Sequence, residues 1–329
     1  TLYASTWAHD RDNQYTFGNI TVGQYGTLAL ETYRNTNTDY TDDYGVELTV
    51  DNLSINSGGR IHSDILGYIE NVGPGIGTDP GDWERGSGGY GGYGSGTGAA
   101  LGGTPYGDIY EPTDLGSGGR GVSVAGGGVV RLIVNNSLNI DGSISANGQT
   151  STGSHSGAGS GGTVYIDTNL LSGSGYIYAN GGNGEGKSGG GSGGRIAVYY
   201  TENIDFVLTS EHIKTVGGQG GWTPTLYGGP GTVYTKQKVD SDLGSLLIEN
   251  DSRTGRGMNL TSGEWNLNNL TIGNNVTNWV ESDLENGNGI VFNISDKFEL
   301  KTGAQLLGSA KGFPALQGPG NGEDRKSVV

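Results

Sequence analysis

Gly126-Gly-Gly-Val-Val-Arg-Leu-Ile-Val134 is an apolar run behind a glycine lead-in, and related stretches follow it three times. They are Gly159-Ser-Gly-Gly-Thr-Val-Tyr-Ile166, Gly191-Ser-Gly-Gly-Arg-Ile-Ala-Val198 and Gly228-Gly-Pro-Gly-Thr-Val-Tyr234. The last lead-in glycines, Gly128, Gly162, Gly194 and Gly231, stand 34, 32 and 37 residues apart. A repeat of about 20–50 residues is typical of solenoids, propellers and arrays.

A second landmark has nearly the same period. Ala146-Asn-Gly148, Ala179-Asn-Gly181 and Thr215-Val-Gly217 follow the first three apolar runs at steps of 33 and 36 residues. Within each run, apolar residues alternate with others, which predicts strands with one buried face. We therefore expect parallel strands stacked from Gly126 to Asp251. The residues expected in one inward row are Val130, Val164, Ile196 and Val233.

The predicted fold is all-β, a parallel β-helix or solenoid with long glycine-rich loops. Each unit holds further short strands, such as Ser137-Leu-Asn-Ile140 and Ser143-Ile-Ser145, and coils of this kind bury a thin core by stacking. A propeller is the second choice, because its blades also contain several strands. The richest tract, from Gly86 to Gly96, predicts a long loop that leaves the solenoid.

A longer repeat lies above the short one. The stretch from Gly45 to Gly58 matches that from Gly289 to Gly303 with one insertion, and Asn19-Ile-Thr-Val-Gly23 matches Asn269-Leu-Thr-Ile-Gly273. This predicts the end of a preceding repeat region (1–44), a complete super-unit (45–287, glycine-rich loop about 73–128) and the start of a second super-unit (288–323). Residues 324–329 match the translation of a sequencing adapter, and we expect them to be an artefact.

Composition excludes several classes of protein. Glycine supplies 67 of 329 residues, and cysteine is absent, so disulfides and thiolate metal sites are impossible. A formal net charge of −16 argues against nucleic acid as a partner. No apolar run reaches the roughly 20 residues that span a bilayer, so we expect no membrane insertion.

The chain resembles glycine-rich parallel β-helix proteins of microbial cell surfaces. The resemblance rests on Gly73-Pro-Gly75, the Gly/Tyr tract, Pro105-Tyr106-Gly107, Leu115-Gly-Ser-Gly-Gly119 and Ile144-Ser-Ala-Asn-Gly148. It implies an extracellular or surface-anchored protein of adhesin-like or structural type. It brings no catalytic residues with it.

The sequence contains few residues that suggest catalysis. Polysaccharide lyases and hydrolases need a base or paired carboxyl groups on one face. Each basic or acidic candidate here stands alone in its coil, so we expect no enzyme activity. The candidates are Arg131, Arg195, Lys214, Asp167 and Asp205.

Tyrosines give the better binding hypothesis. Positions that should point outward hold Tyr165, Tyr199 and Tyr234, with Arg131 and Asp167 beside them. Exposed rings in a row can stack on sugars, although tyrosine also simply suits the outer face of a strand.

Asp79, Asp82 and Glu84 are weak calcium candidates, because their oxygens suit the ion but their spacing fits no calcium loop. We predict no other cofactor and no metal-binding histidine pair.

The favoured function is a non-catalytic structural or adhesive module of a long extracellular repeat protein, with weak glycan binding. Its expected partners are an extracellular polysaccharide or neighbouring copies of itself. The alternative is a carbohydrate-active β-helix: a polysaccharide lyase or hydrolase, or its binding module.

Overall fold

The computed structural model describes residues 1–3, 13–34, 39–81, 83–153, 155–221, 226–239, 241–281 and 289–308. Their regular structure is β-strand apart from one short 3-10 helix, Tyr40–Asp42, and this part of the chain holds no helix long and apolar enough to cross a membrane. The strands are β1 (Leu2–Tyr3), β2 (Gln14–Val22), β3 (Thr27–Glu31), β4 (Val46–Ile55), β5 (Arg60–His62), β6 (Val129–Ile140), β7 (Ser143–Ser145), β8 (Thr163–Ser172), β9 (Tyr176–Tyr178), β10 (Arg195–Asn203), β11 (Ile213–Lys214), β12 (Thr232–Gln237), β13 (Ser245–Ile248), β14 (Gly255–Leu260), β15 (Gly263–Ile272), β16 (Val276–Val280), β17 (Ile290–Leu300) and β18 (Gln305–Leu307).

The strands form three sheets. Nine strands lie in the order β17-β15-β13-β12-β10-β8-β6-β4-β2, six in the order β1-β3-β5-β7-β9-β11, and three in the order β14-β16-β18. Every pairing between these strands is parallel except that of β12 with β13. The prediction of an all-β fold with parallel sheets is confirmed.

The predicted inward row is confirmed. Val130 pairs with Val164, Val164 with Ile196, and Ile196 with Val233, and none of the four is more than 5% exposed. Burying one such side chain contributes about 1.5–3 kcal/mol. The facing sheet supplies a matching row to the same core, which we call core 1. Its members are Ile61, Ile144, Ile177 and Ile213.

Strand direction reverses once, after β12. Asp242 holds the turn by accepting hydrogen bonds from the backbone N–H of Gln237 and of Gly244, whose φ is +80°. The chain then returns as β13, which runs antiparallel to β12. The expectation of parallel stacking as far as Asp251 is therefore wrong from β13 onward.

The reversal places a second core on the other face of the nine-stranded sheet. Val233 lies opposite Leu247, and both contact core 1. Their neighbours Tyr234 and Leu246 also lie opposite each other, but they point the other way, into a second cluster. We call this cluster core 2, and its other members include Ile248, Leu260, Leu267, Leu270 and Ile272.

Glycine-rich segments form a packed layer instead of a projecting loop. We call it the glycine layer, and it comprises residues 86–94, 116–119, 126–128, 157–162, 189–194 and 228–231. Within it, Gly88 donates to the carbonyl of Ala158 at 2.9 Å, and Gly91 donates to that of Gly193 at 3.0 Å. The predicted loop that leaves the solenoid from Gly86 is therefore wrong in its placement, because this tract is largely buried.

Glycine is needed in the layer because neighbouring backbones touch. A Cβ atom on Gly127, Gly161 or Gly193 would lie 2.1, 2.2 or 1.8 Å from a carbonyl oxygen. Those oxygens belong to the second landmark of the repeat, at Ala146, Ala179 and Thr215. The two sequence landmarks are thus the two sides of one backbone contact.

The asparagines of the second landmark form a ladder across the repeats. The Asp64 carboxylate accepts from the backbone N–H of Asn147, the Asn147 side chain from that of Asn180, and the Asn180 side chain from that of Val216. The distances are 2.7, 2.8 and 2.9 Å. Each side chain therefore satisfies a backbone group of the next repeat.

The longer repeat has a structural counterpart at both ends of the nine-stranded sheet. β2 pairs with β4, and β15 pairs with β17, in both cases in parallel. β4 and β17 are each followed by a glycine with positive φ, Gly58 (+78°) and Gly303 (+71°), and then by a short strand. The division into super-units stays a prediction, and residues 309–329 lie outside the described structure.

Candidate functional site

The tyrosine row that sequence reasoning favoured is mostly buried. Tyr165 is 5% exposed and Tyr234 is 3% exposed, so their expected exposure is wrong, and Tyr199 is only half-buried. Tyr199 donates to the carbonyl of Tyr110 at 3.0 Å, and the Tyr110 ring packs edge-on against Tyr234. Burial raises the pKa of all three predicted tyrosines.

The physical reason is the reversal at β12. The outer face of the first strands is continuous with the face that carries core 2, and the segment around Ile109 and Tyr110 covers it. Tyr165 and Tyr234 are therefore members of core 2, with Tyr199 packed against it, and the three do not form an open platform.

The charged candidates are held in separate ion pairs. Arg131 contacts Glu47 at 2.7 Å and lies 4.0 Å from the centre of the Tyr165 ring. Asp167 contacts Lys238 at 2.6 Å. The first contact joins β4 and β6, which pair directly, and the second reaches from β8 past β10 to the end of β12. The two contacts do not gather the predicted residues into one site.

The remaining candidates for catalysis are also apart. Lys214 pairs with Asp251 at 3.0 Å, and Asp205 accepts the backbone N–H of Gly173 at 2.9 Å. Glu249 lines the same small pocket as Lys214 and Asp251, but it is paired with Lys301 at 3.1 Å. Glycoside cleavage requires two carboxyl groups that flank the bond to be broken, whereas here each of these two carboxyl groups contacts a lysine.

The calcium candidates have protein partners. Asp79 contacts Arg85 at 3.4 Å and accepts from the backbone N–H of Gly81, and Glu84 accepts from that of Ala99 at 2.7 Å. Asp82 lies outside the described residues. Among the residues that are described, no group of three or more His, Asp or Glu side chains is placed to hold a metal ion.

A cleft of about 520 Å³ lies where the strands that follow the reversal meet the earlier part of the chain, and we call it the junction cleft. One wall is the segment 104–110, and the other is formed by residues 258–265 of β14, β15 and the turn between them. The side chains of interest in its lining are Tyr93, Tyr106, Asp108, Tyr110, Arg195, Asn259, Ser262, Glu264, Trp265 and Glu281.

Arg195 holds the first wall in place. Its side chain is 2% exposed and donates two hydrogen bonds to the carbonyl of Tyr106, at 2.9 and 2.6 Å, and one to Thr232 at 3.1 Å. Beyond this anchor, Asp108 accepts the backbone N–H groups of Tyr110 and Glu111 at 2.6 and 2.8 Å, which closes the turn. The segment 104–110 is therefore held in one conformation by these hydrogen bonds.

The second wall is equally fixed. Trp265 is 8% exposed, and its indole N–H donates to the carbonyl of Thr261 at 3.1 Å. The Asn259 side-chain amide donates to Glu281 at 2.5 Å. At the rim, the Arg256 guanidinium lies 3.7 Å from the centre of the Tyr93 ring. A cleft with fixed aromatic and polar groups can hold a small ligand without a large rearrangement.

The charge in the cleft is negative. Three carboxyl groups line it, from Asp108, Glu264 and Glu281, whereas its single basic side chain, Arg195, is buried in the wall. Burial lowers the pKa of Arg195, and the nearby Tyr90 and Asp114 act in the opposite direction. Burial also raises the pKa of Asp114, which Arg195 opposes. The positive charge of Arg195 thus compensates the buried carboxyl group of Asp114 and is not available to an acidic ligand.

Of the residues that line this cleft, the sequence analysis singled out only Arg195 as a candidate for function, and it did so for catalysis. A signal was present in Asp108-Ile-Tyr-Glu-Pro-Thr113, a stretch without glycine inside the most glycine-rich part of the chain. Such a stretch makes its tertiary contacts through side chains, whereas the glycine-rich segments around it make theirs through the backbone. Comparison with family models, with curated proteins and with solved structures gave no match for this chain.

Proposed function

We propose that this chain is a β-solenoid module of a long extracellular repeat protein, with a structural and adhesive role and no catalysis. The observation that carries the proposal is the register of the repeats. From β4 to β11, each coil gives one strand to the nine-stranded sheet and one to the six-stranded sheet, and equivalent residues pair. Such stacking can continue coil by coil, which suits a fibre.

The arrangement of charges supports the non-catalytic part of the proposal. General acid–base chemistry needs two groups placed around one reacting bond. Arg131, Asp167 and Lys214 instead take part in separate contacts between coils. Adhesion needs less, because many weak contacts along a tandem array add their strength.

The test compares adhesion with turnover. Beads that carry many copies of the purified chain should adhere to polysaccharide-coated surfaces far more strongly than the free chain binds, because multivalency multiplies a weak affinity. Incubation with neutral and acidic polysaccharides, with and without calcium, should release no reducing or unsaturated ends. New ends that disappear in Lys214→Ala would overturn the proposal in favour of a lyase or hydrolase.

A further inference from the structure

We propose that the junction cleft binds a short stretch of neutral saccharide, using the Tyr110 and Trp265 side chains of its two walls as apolar surfaces and Asp108, Glu264 and Glu281 as hydrogen-bond acceptors. This inference rests on the proposed adhesive function, for which it names the site and the class of ligand. The proposed binding site is the junction cleft, and the buried row of Tyr165, Tyr199 and Tyr234 is not part of it.

Shape is the first argument. A volume of about 520 Å³ lies within the range of roughly 300–1,000 Å³ that small-ligand pockets occupy. Clefts of this kind are common where two packed units meet, and this one lies where the first coils meet the reversed strands. The site therefore suits a few sugar rings better than a broad protein surface.

The chemistry of the lining is the second argument. A sugar ring offers C–H groups on its faces and hydroxyl groups around its edge. Aromatic side chains pack against the former, and carboxyl, amide and hydroxyl groups bond the latter. The cleft provides both kinds of group on opposite walls, with Tyr110 on one and Trp265, Asn259 and Ser262 on the other.

Charge selects among saccharides. The cleft presents three carboxyl groups, and its guanidinium, Arg195, already donates to Tyr106 and Thr232. The exposed guanidinium nearest Tyr93 is that of Arg256, and it lies over the Tyr93 and Trp279 rings. Within the cleft, a uronate or sulfated sugar would lie among three carboxyl groups, with the exposed Arg256 guanidinium only at the rim, and this repulsion is unfavourable.

The residues that line the cleft are spread from 93 to 281, a range that covers most of one predicted super-unit. If super-units repeat along the protein, each one supplies one cleft. Single-site affinity can then stay weak while the array binds firmly.

Titration calorimetry on the whole chain tests the inference, with cellopentaose, maltopentaose and mannopentaose as neutral probes. Oligogalacturonate and pentalysine serve as the acidic and basic probes. We expect at least one neutral probe to bind, with Glu264→Ala and Ser262→Tyr each weakening it about fivefold or more. Glu264 is exposed and Ser262→Tyr fills the cleft, so neither change removes a buried contact of the core.

Glu202→Ala is the matched control, because Glu202 is an exposed glutamate on β10 outside the cleft, and it should leave the affinity unchanged. Equal affinity in the parent chain and both cleft variants would overturn the inference, as would tighter binding of oligogalacturonate or pentalysine than of every neutral probe. Binding to none of the probes would also overturn it. Bead adhesion without turnover would in that case leave the proposed function standing, so the two failures are distinguishable.

Discussion

Gly193→Ala is the substitution that best tests whether backbone packing in the glycine layer stabilises this protein. Gly193 is buried, its N–H donates to the carbonyl of Gly229 at 2.9 Å, and its own carbonyl accepts from Gly91 at 3.0 Å. A Cβ atom would lie 1.8 Å from the carbonyl oxygen of Thr215 and 2.5 Å from the amide nitrogen of Gly231. Both are backbone atoms, so no side chain can move aside to relieve the contact.

The expected cost follows from that geometry. Inserting a methyl group into a packed site typically costs about 1–3 kcal/mol. Moving the backbone apart also breaks or lengthens the two hydrogen bonds of Gly193, and a buried unsatisfied group costs about 1–3 kcal/mol. Alanine returns about 0.4–1 kcal/mol by restricting the unfolded chain. We expect a net loss of about 3 kcal/mol in the free energy of unfolding.

Gly23→Ala is the control. Gly23 has no neighbouring atom within 4 Å of the added Cβ, so only the effect on the unfolded chain remains. That variant should be unchanged or more stable by up to about 1 kcal/mol. Urea denaturation followed by circular dichroism measures both changes, and hydrogen exchange should show lost protection at Gly91 and Gly193 in the first variant alone. Equal denaturation midpoints for the two variants would refute the packing argument.

Three further predictions test the two cores, the buried carboxyl group of Asp114 and the asparagine ladder. Val164→Asp should unfold the chain or lower its denaturation midpoint severely, because the carboxylate would enter core 1 unpaired. Tyr165→Ala should lower the free energy of unfolding by about 3 kcal/mol or more, since Tyr165 belongs to core 2. A denaturation midpoint like that of the parent chain would contradict the burial of Tyr165. Asp114→Asn should raise the midpoint at pH 7, because a carboxyl whose pKa is raised in the folded state loses stability as pH rises above its unfolded value; the gain should vanish at acidic pH, and a gain that persists there would contradict the assignment. Asn180→Ala should cost about 1–3 kcal/mol by leaving the N–H of Val216 unpaired, whereas Asn180→Asp, which keeps an acceptor, should cost less in the same urea titration.

The rows of core 1 were predictable from the sequence because they depend on local rules. Alternation within a strand and a fixed step between coils determine which side chains point inward, and Val130 and Val164 do so. The reversal after β12 depends on one turn, with Asp242 and Gly244, that has no counterpart in the repeat. The spacing of the repeats therefore does not predict this turn. The outward direction of Tyr165 was therefore predicted correctly relative to core 1, while the second core on that side was missed.

The junction cleft was missed for the same reason. Its walls come from segment 104–110 and from β14 and β15, which the reversal brings together although they lie about 150 residues apart in sequence. Spacing arguments compare equivalent positions in successive coils, and Asp108 and Trp265 occupy no equivalent positions. Tertiary contacts between unlike parts of a repeat array cannot be derived from its period.

The glycine content and the small apolar fraction have one common cause. Each repeat buries only narrow rows of side chains in core 1. On the remaining side it meets its neighbours largely through backbone, as Gly127, Gly161 and Gly193 do, and small hydroxyl side chains such as Ser87 and Ser192 add hydrogen bonds. Glycine loses more conformational freedom on folding than any other residue, so the layer is costly to order by itself. Its regular hydrogen bonds and its attachment to β6, β8 and β10 offset that cost. Composition typical of disorder is thus compatible with order here, because four of the six glycine tracts lead directly into a strand, and the other two, 86–94 and 116–119, are hydrogen-bonded to those four.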